Sequence, residues 1–159
     1  MNLLPFFQWC EATALGDTVR KSLWLFPVIE AFHLVAFSVL GGAVLLMDLR
    51  LLGLVMRTQP AARIARDSRP WLAGSLAVMM ASGILLFLSE AVKCYYSFPF
   101  KVKMISLFLA IVFTWTLHRR VAVAEEGRFG ALQGRLVALV SLVLWGAVAW
   151  GGRWIGFSG

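Results

Sequence analysis

Four stretches of this chain, at about residues 26–48, 71–89, 98–118 and 135–156, are each apolar for roughly 20 residues, the length an α-helix needs to cross a bilayer. That pattern decides the fold class before any motif is considered. Lipid offers no partner for backbone N–H and C=O groups, so such segments must close their hydrogen bonds internally, as helices and not as open sheet. The connections are short, which makes sequential neighbours antiparallel. The chain is therefore predicted to be all-α: an integral membrane, up-down four-helix bundle over residues 23–159. Composition agrees, with 60% hydrophobic and only 14% charged residues, against about a quarter charged in soluble domains. Its 159 residues suffice for one compact bundle and no second domain.

Residues 1–22 precede the first span. The run MNLLPFFQWCEATALGD has no basic stretch before its apolar residues and no small-residue cleavage motif, so it does not read as a secretory signal. It reads as an amphipathic helix on the membrane surface, with Leu3, Leu4, Phe6, Phe7 and Trp9 as apolar contacts. Pro5 suits a first helical turn, and Gly16–Asp17 marks a break.

The net charge of +7 is explained by topology without a nucleic-acid partner. Nine of the 15 Lys and Arg residues follow the first span (Arg50, Arg57, Arg63, Arg66, Arg69) or the third (Arg119, Arg120, Arg128, Arg135). The positive-inside rule puts both connections in the cytoplasm and both termini in the periplasm of a bacterial inner membrane. Trp24, Trp71, Tyr95, Tyr96 and Trp154 fall near span ends, as an interfacial aromatic belt requires.

Ionisable residues inside spans are the functional signal. Glu30 and His33 lie three residues apart in the outer third of the first span, His33 roughly 10 Å below the surface at 1.5 Å per residue. Glu90 and Lys93 end the second span, Lys101 and Lys103 open the third, and Arg153 closes the fourth. All gather at the outer mouth of the bundle. Helical spacing also gives each span a polar or small-residue face: Glu30–His33–Phe37–Gly41–Val44–Asp48, Ser75–Met79–Ser82–Leu86, Lys103–Ser106–Ala110–Thr114 and Ser141–Trp145–Val148–Gly152.

Two readings of this cluster stay open. The carboxylates Glu30 and Glu90 either pair with Lys101, Lys103 or Arg153 to hold the mouth together, or tune a site. His33 is either a cofactor, metal or proton-carrying group, or a helix–helix hydrogen-bond partner. His118 ends the third span, roughly 20 Å in depth from His33, so one haem iron cannot take both from a single chain. Copper would call on Met104 or Cys94 beside His33, since the adjacent Met79 and Met80 point to different helix faces and suit core filling. Cys10 and Cys94 both map to the outer side, where an oxidising compartment permits a disulfide. No P-loop, dinucleotide fingerprint, clustered metal motif or nucleophile–base constellation is present.

The runs WLFPVIEAFHLVAFSVLGGAVLLMDLRLLGL, SGILLFLSEAVKCYYSFPFKVKMISLFLA and GRWIGF resemble a family of small bacterial four-span membrane proteins of unknown function. More distantly, His33 with Gly41–Gly42, and Phe100 with Lys103, resemble the copper-resistance CopD membrane domain and the haem-pathway protein HemJ. The HemJ resemblance implies a b-type haem and a redox role, and the CopD resemblance implies copper handling. The expectation is a membrane protein with a haem or copper site at His33, with Glu30, Glu90, Lys101 and Lys103 around it and Met104 as a further metal ligand. The alternative is a non-catalytic accessory subunit, packing in a homo-oligomer or larger membrane complex through Gly41–Gly42, Gly146 and Gly151–Gly152.

Overall fold

The computed structural model describes residues 3–118, 120 and 131–155 of the chain, and every element within them is helical. Arg119, Arg128, the His118 side chain and Gly156–Phe157, all used in the sequence reading, lie outside the described residues. In order, the elements are α1 (Leu4–Glu11), α2 (Ala14–Lys21), α3 (Leu25–Leu51), α4 (Ala61–Ser89), α5 (Ala91–Tyr96), α6 (Phe98–Phe113), a π-helical turn (Thr114–His118) and α7 (Ala131–Ile155). Helices α3, α4, α6 with its following turn, and α7 are long and apolar enough to cross a membrane.

Their outer surfaces show where they reside. Phe32, Val35, Ile105, Phe108 and Val143 are between 62 and 71% exposed. So much bare aliphatic and aromatic surface on every long helix has its solvent in lipid, not water. Inside, Ala36, Leu40, Val44, Leu72, Met79, Leu107, Ala110, Trp145 and Val148 form the core. Helix α3 packs on α4 and α7, and α7 on α6. Pairs along the helices run in opposite senses, as in His33 with Ser82 against Arg50 with Gln59, so sequential neighbours are antiparallel.

Helix α4 starts ten residues before the predicted second span. Pro60 is extended and ends the preceding loop, and the helix begins at Ala61. Its first turns bury Ile64 and Ala65 against Met47 and leave Arg63, Arg66 and Arg69 exposed on the opposite side. Alanine and arginine are strong helix formers, a propensity hidden by reading the arginines only as loop charge. At 1.5 Å per residue α4 is about 44 Å long, beyond the hydrocarbon core of about 30 Å, so its arginine-bearing end stands in the headgroup region. Pro70 sits exposed inside it, where it costs one backbone hydrogen bond.

One face of α4 carries Ser68, Ser75, Ser82 and Ser89, each seven residues apart and each buried. The Ser75, Ser82 and Ser89 hydroxyls donate to the carbonyls of Trp71, Val78 and Leu86 at 2.5, 2.7 and 2.8 Å. Small residues whose polarity is satisfied within their own helix let a neighbour approach closely in lipid, and a seven-residue repeat keeps them on one seam.

The N-terminal segment forms two short helices where one was expected. The break falls at Ala12–Thr13, where Thr13 caps α2 by accepting the Gly16 N–H at 3.2 Å. The expected break at Gly16–Asp17 is corrected: Gly16 lies within α2, and a Cβ there would collide with the Leu88 carbonyl. Its glycine serves close approach, not chain reversal. Leu3, Phe6 and Trp9 stay exposed, as an interfacial helix requires. Phe7 turns inward onto Phe87 and Tyr95, with ring centroids at 5.6 and 5.2 Å. Glu11 fastens the segment: one oxygen accepts the Val92 N–H at the start of α5 at 2.7 Å, and the other pairs with Arg20 at 2.7 Å. Lys21, then Arg20, hydrogen-bond Asp17 and hold its carboxyl below the usual range.

Candidate functional site

Where α3 and α6 begin and α4 and α7 end, the helices enclose a cavity of about 570 Å³. Each wall follows from local sequence. Helix α3 contributes Phe26, Glu30, His33, Leu34 and Phe37; α4 contributes Gly83, Leu86 and Phe87; and Glu90, Lys93 and Cys94 come from the α4–α5 junction. Helix α6 adds Phe100 and Lys103, while α7 adds Val148, Ala149, Gly152, Arg153 and Ile155. Ser97 holds the start of α6 in place by accepting the Phe100 N–H at 3.3 Å. Phe87 and Phe100 stack across the cavity wall at 5.7 Å.

His33 is the half-buried polar centre. Its Nδ1 lies 3.0 Å from Ser82 Oγ, and Ser82 uses its only proton on the Val78 carbonyl at 2.7 Å. With its proton on that carbonyl the serine accepts, and this network assigns the tautomer with Nδ1–H donating to Ser82 and the lone pair on Nε2. Gly83 faces the ring: a Cβ there would sit 3.2 Å from His33 Cε1. Sequence reading placed Ser82 on the polar face of its helix but did not name it or Gly83 as site residues. The seven-residue serine repeat was the available signal.

Lys103 enters the cavity across a bare strip of α7. A Cβ at Gly151 would lie 2.9 Å from Lys103 Cβ and 2.9 Å from the Pro99 carbonyl, and one at Gly152 would lie 3.6 Å from Lys103 Nζ. Gly151–Gly152, read from sequence as an intermolecular packing face, instead receives this lysine within the bundle. Lys93 faces Glu90 at 3.8 Å on the rim, both half exposed, a weak pair at best.

Glu30, His33, Glu90 and Lys103 thus meet at one cavity, together with Lys93 and Arg153. Lys101 and Met104 do not line it. Lys101 lies 5.8 Å above the Tyr95 ring, and Met104 is 44% exposed on the outer surface. The reason is angular, since at 100° per residue neither shares the azimuth of Lys103. Cys10 and Cys94 are buried free thiols, so the disulfide that the sequence permits is not formed here. Burial, reinforced by Glu90, pushes the Cys94 thiol up to about 11, which lowers its reactivity as a free thiol at neutral pH. Among the described residues no group of three or more His, Cys, Asp or Glu side chains is arranged to hold a metal ion.

The family model matches residues 6–158 of the chain. The chain belongs to DUF6644, a family of unknown function. No curated protein and no solved structure matches this DUF6644 chain, so the comparisons lend no support to the CopD and HemJ likeness. What can be stated of it is a multi-pass, all-helical membrane protein with a polar-rimmed cavity at one end of the bundle.

Proposed function

We propose that this DUF6644 protein binds a small amphipathic molecule in the cavity at the mouth of its bundle, with His33 as the group that engages it. One observation carries the reading: a half-buried imidazole, fixed through Nδ1 by Ser82 and left with an acceptor Nε2, stands in the wall of a cavity of about 570 Å³. Apolar pockets with a few convergent polar groups are the usual form of ligand sites.

Two cofactors follow from the sequence reading, and the donor set separates them. Copper needs several soft or imidazole ligands, yet Met104 faces outward and, among the described residues, no group of three or more His, Cys, Asp or Glu is arranged to hold a metal ion. The residues do not fit copper. A b-type haem needs one axial imidazole, apolar walls and cations for its carboxylates; His33, the phenylalanines, and Lys103 with Arg153 fit that description. Haem would supply electron-transfer or ligand-activating chemistry. His33 would hold it, Ser82 would orient that ring, and the packed phenylalanines would exclude water.

The membrane belongs to the same proposal. With the arginine-rich connections in the cytoplasm, the cavity opens on the periplasmic side of a bacterial inner membrane, where both termini lie. The accessory-subunit reading keeps one supporting observation: Cβ atoms at Gly41, Gly42 and Gly146 would meet nothing within 4 Å.

An absorption spectrum with metal analysis on intact purified protein tests the cofactor. The expected result is one haem per chain, lost in His33→Ala. Stoichiometric copper without haem, or a haem signal unchanged in His33→Ala, contradicts the assignment.

A further inference from the structure

We infer that the cavity selects amphiphiles carrying an anionic headgroup, carboxylate or phosphate, and that Lys103 is the group that reads the charge. This rests on the ligand-binding reading above and narrows it to a chemical class. Among the described residues lining the cavity, cations outnumber carboxylates, with Lys93, Lys103 and Arg153 against Glu30 and Glu90. Lys93 faces Glu90 at 3.8 Å. Lys103 is different: among the described residues no carboxylate lies within 4.0 Å of its ammonium.

The fold keeps that ammonium where it is. Lysines near a helix end normally extend to the interface, as the exposed Lys101 does beside the Tyr95 ring. Lys103 cannot share that path without leaving α7, because its stem lies on Gly151 and its ammonium over Gly152. Any side chain at Gly151 would strike Lys103 Cβ and the Pro99 carbonyl, both at 2.9 Å. Two consecutive glycines therefore make room for one lysine held inside the mouth. A half-buried cation without a counter-ion is unfavourable, and an anionic ligand supplies the missing partner. The remaining walls are aromatic and aliphatic, with stacked Phe87 and Phe100, and with Phe26, Leu34 and Phe37 from α3. A headgroup at Lys103 leaves an apolar body to those walls. Haem, with its carboxylates, belongs to this class; so do fatty acids and alkyl phosphates.

The test uses the full chain in phosphatidylcholine nanodiscs, titrated with palmitate, hexadecyl phosphate and uncharged hexadecanol, with occupancy read by native mass spectrometry. Both anions are expected to bind one per chain, roughly tenfold or more tighter than hexadecanol, the factor one hydrogen bond to a charged group supports. Comparing the two anions distinguishes a carboxylate from a phosphate as the preferred headgroup. Lys103→Met should erase the preference, while Lys103→Arg keeps it. If Lys103→Met fails to fold, Gly152→Ala serves instead: its methyl, 3.6 Å from Nζ, should weaken both anions and leave hexadecanol unchanged. Hexadecanol binding as tightly as the anions, or a preference that survives Lys103→Met, overturns the inference. Haem dimethyl ester separates the two proposals. Tight binding of the ester through His33, equal to that of free haem, would sink the anion inference while leaving the cofactor reading intact.

Discussion

His33 and Ser82 meet at 3.0 Å in the mouth of the bundle, and their hydrogen bond is the contact most open to test. Ser82→Ala removes the acceptor for Nδ1–H and leaves a polar group unpaired in a half-buried site. The expected cost is about 1–2 kcal/mol of stability, measured by unfolding in mixed micelles, with the ring freed to change tautomer. Gly83→Ala should act differently, because its methyl would stand 3.2 Å from Cε1 and push the ring without breaking the serine contact. It should change ligand affinity more than stability. Cys94 gives a pH-dependent readout. Its thiol is raised from the usual 9.0 to about 11, so at pH 8 native protein should alkylate about 100-fold more slowly than detergent-denatured protein. The labelling rate should climb as pH approaches 11. Because the folded-state value is the higher one, the associated stability is intact below about 9 and lost as pH rises towards about 11. Equal labelling of native and denatured chains at pH 8 would contradict the burial of this thiol.

The sequence was more legible in depth than in azimuth. Glu30, His33, Glu90 and Lys103 could be put at one level because charge in an apolar span is rare, and 1.5 Å per residue converts position into depth. Helical spacing put Lys103, not Lys101, on the Ser106–Ala110–Thr114 face, but how that face meets the cavity could not be read. That depends on the rotation of α6 against α7, set by Gly151 meeting Lys103 and Pro99. Ser82 was legible as part of a polar stripe. Its pairing with His33 required knowing how far α3 and α4 slide past each other.

Elements explain how the mouth keeps its shape. Helices α1 and α2 are not only a surface anchor: Phe7 packs on Phe87, which stacks on Phe100, and both Phe87 and Phe100 line the cavity. Glu11 caps α5 beside Glu90, Lys93 and Cys94. Glu11→Gln should cost about 1–2 kcal/mol, as for a lost helix-capping or charged hydrogen bond. It should also raise amide hydrogen exchange in α5 before the rest of the chain. Uniform exchange across all helices in that variant would argue against a local latch. On α4 the serine seam predicts that Ser75→Leu drives α3 and α4 apart and destabilises by about 1–3 kcal/mol, as overpacking does. A leucine at exposed Val78 should be nearly neutral. The repeat was present in the sequence, but its partner helix was not.

For the whole molecule, four apolar segments and short connections were enough to specify an antiparallel helical membrane bundle, because lipid leaves the backbone no alternative. Helix lengths were less legible. The arginines before Trp71 read as loop charge, yet Ala61, Ala65 and their neighbours continue α4 into the headgroup region. Orientation is a further prediction at this scale. Tags at either terminus should be reachable by an impermeant reagent from the non-cytoplasmic side, and a cysteine replacing Arg57 should react only after lysis. The reverse labelling pattern would invert the proposed topology.

The central claim is that the mouth of this bundle holds a ligand. Native mass spectrometry of the chain, extracted gently from its own membranes, tests it most directly. One bound anionic amphiphile per chain is expected, haem or another of that class, much reduced when His33→Ala and Lys103→Met are combined. A wild-type chain that flies bare, or one whose bound mass is unchanged in the double variant, would contradict it.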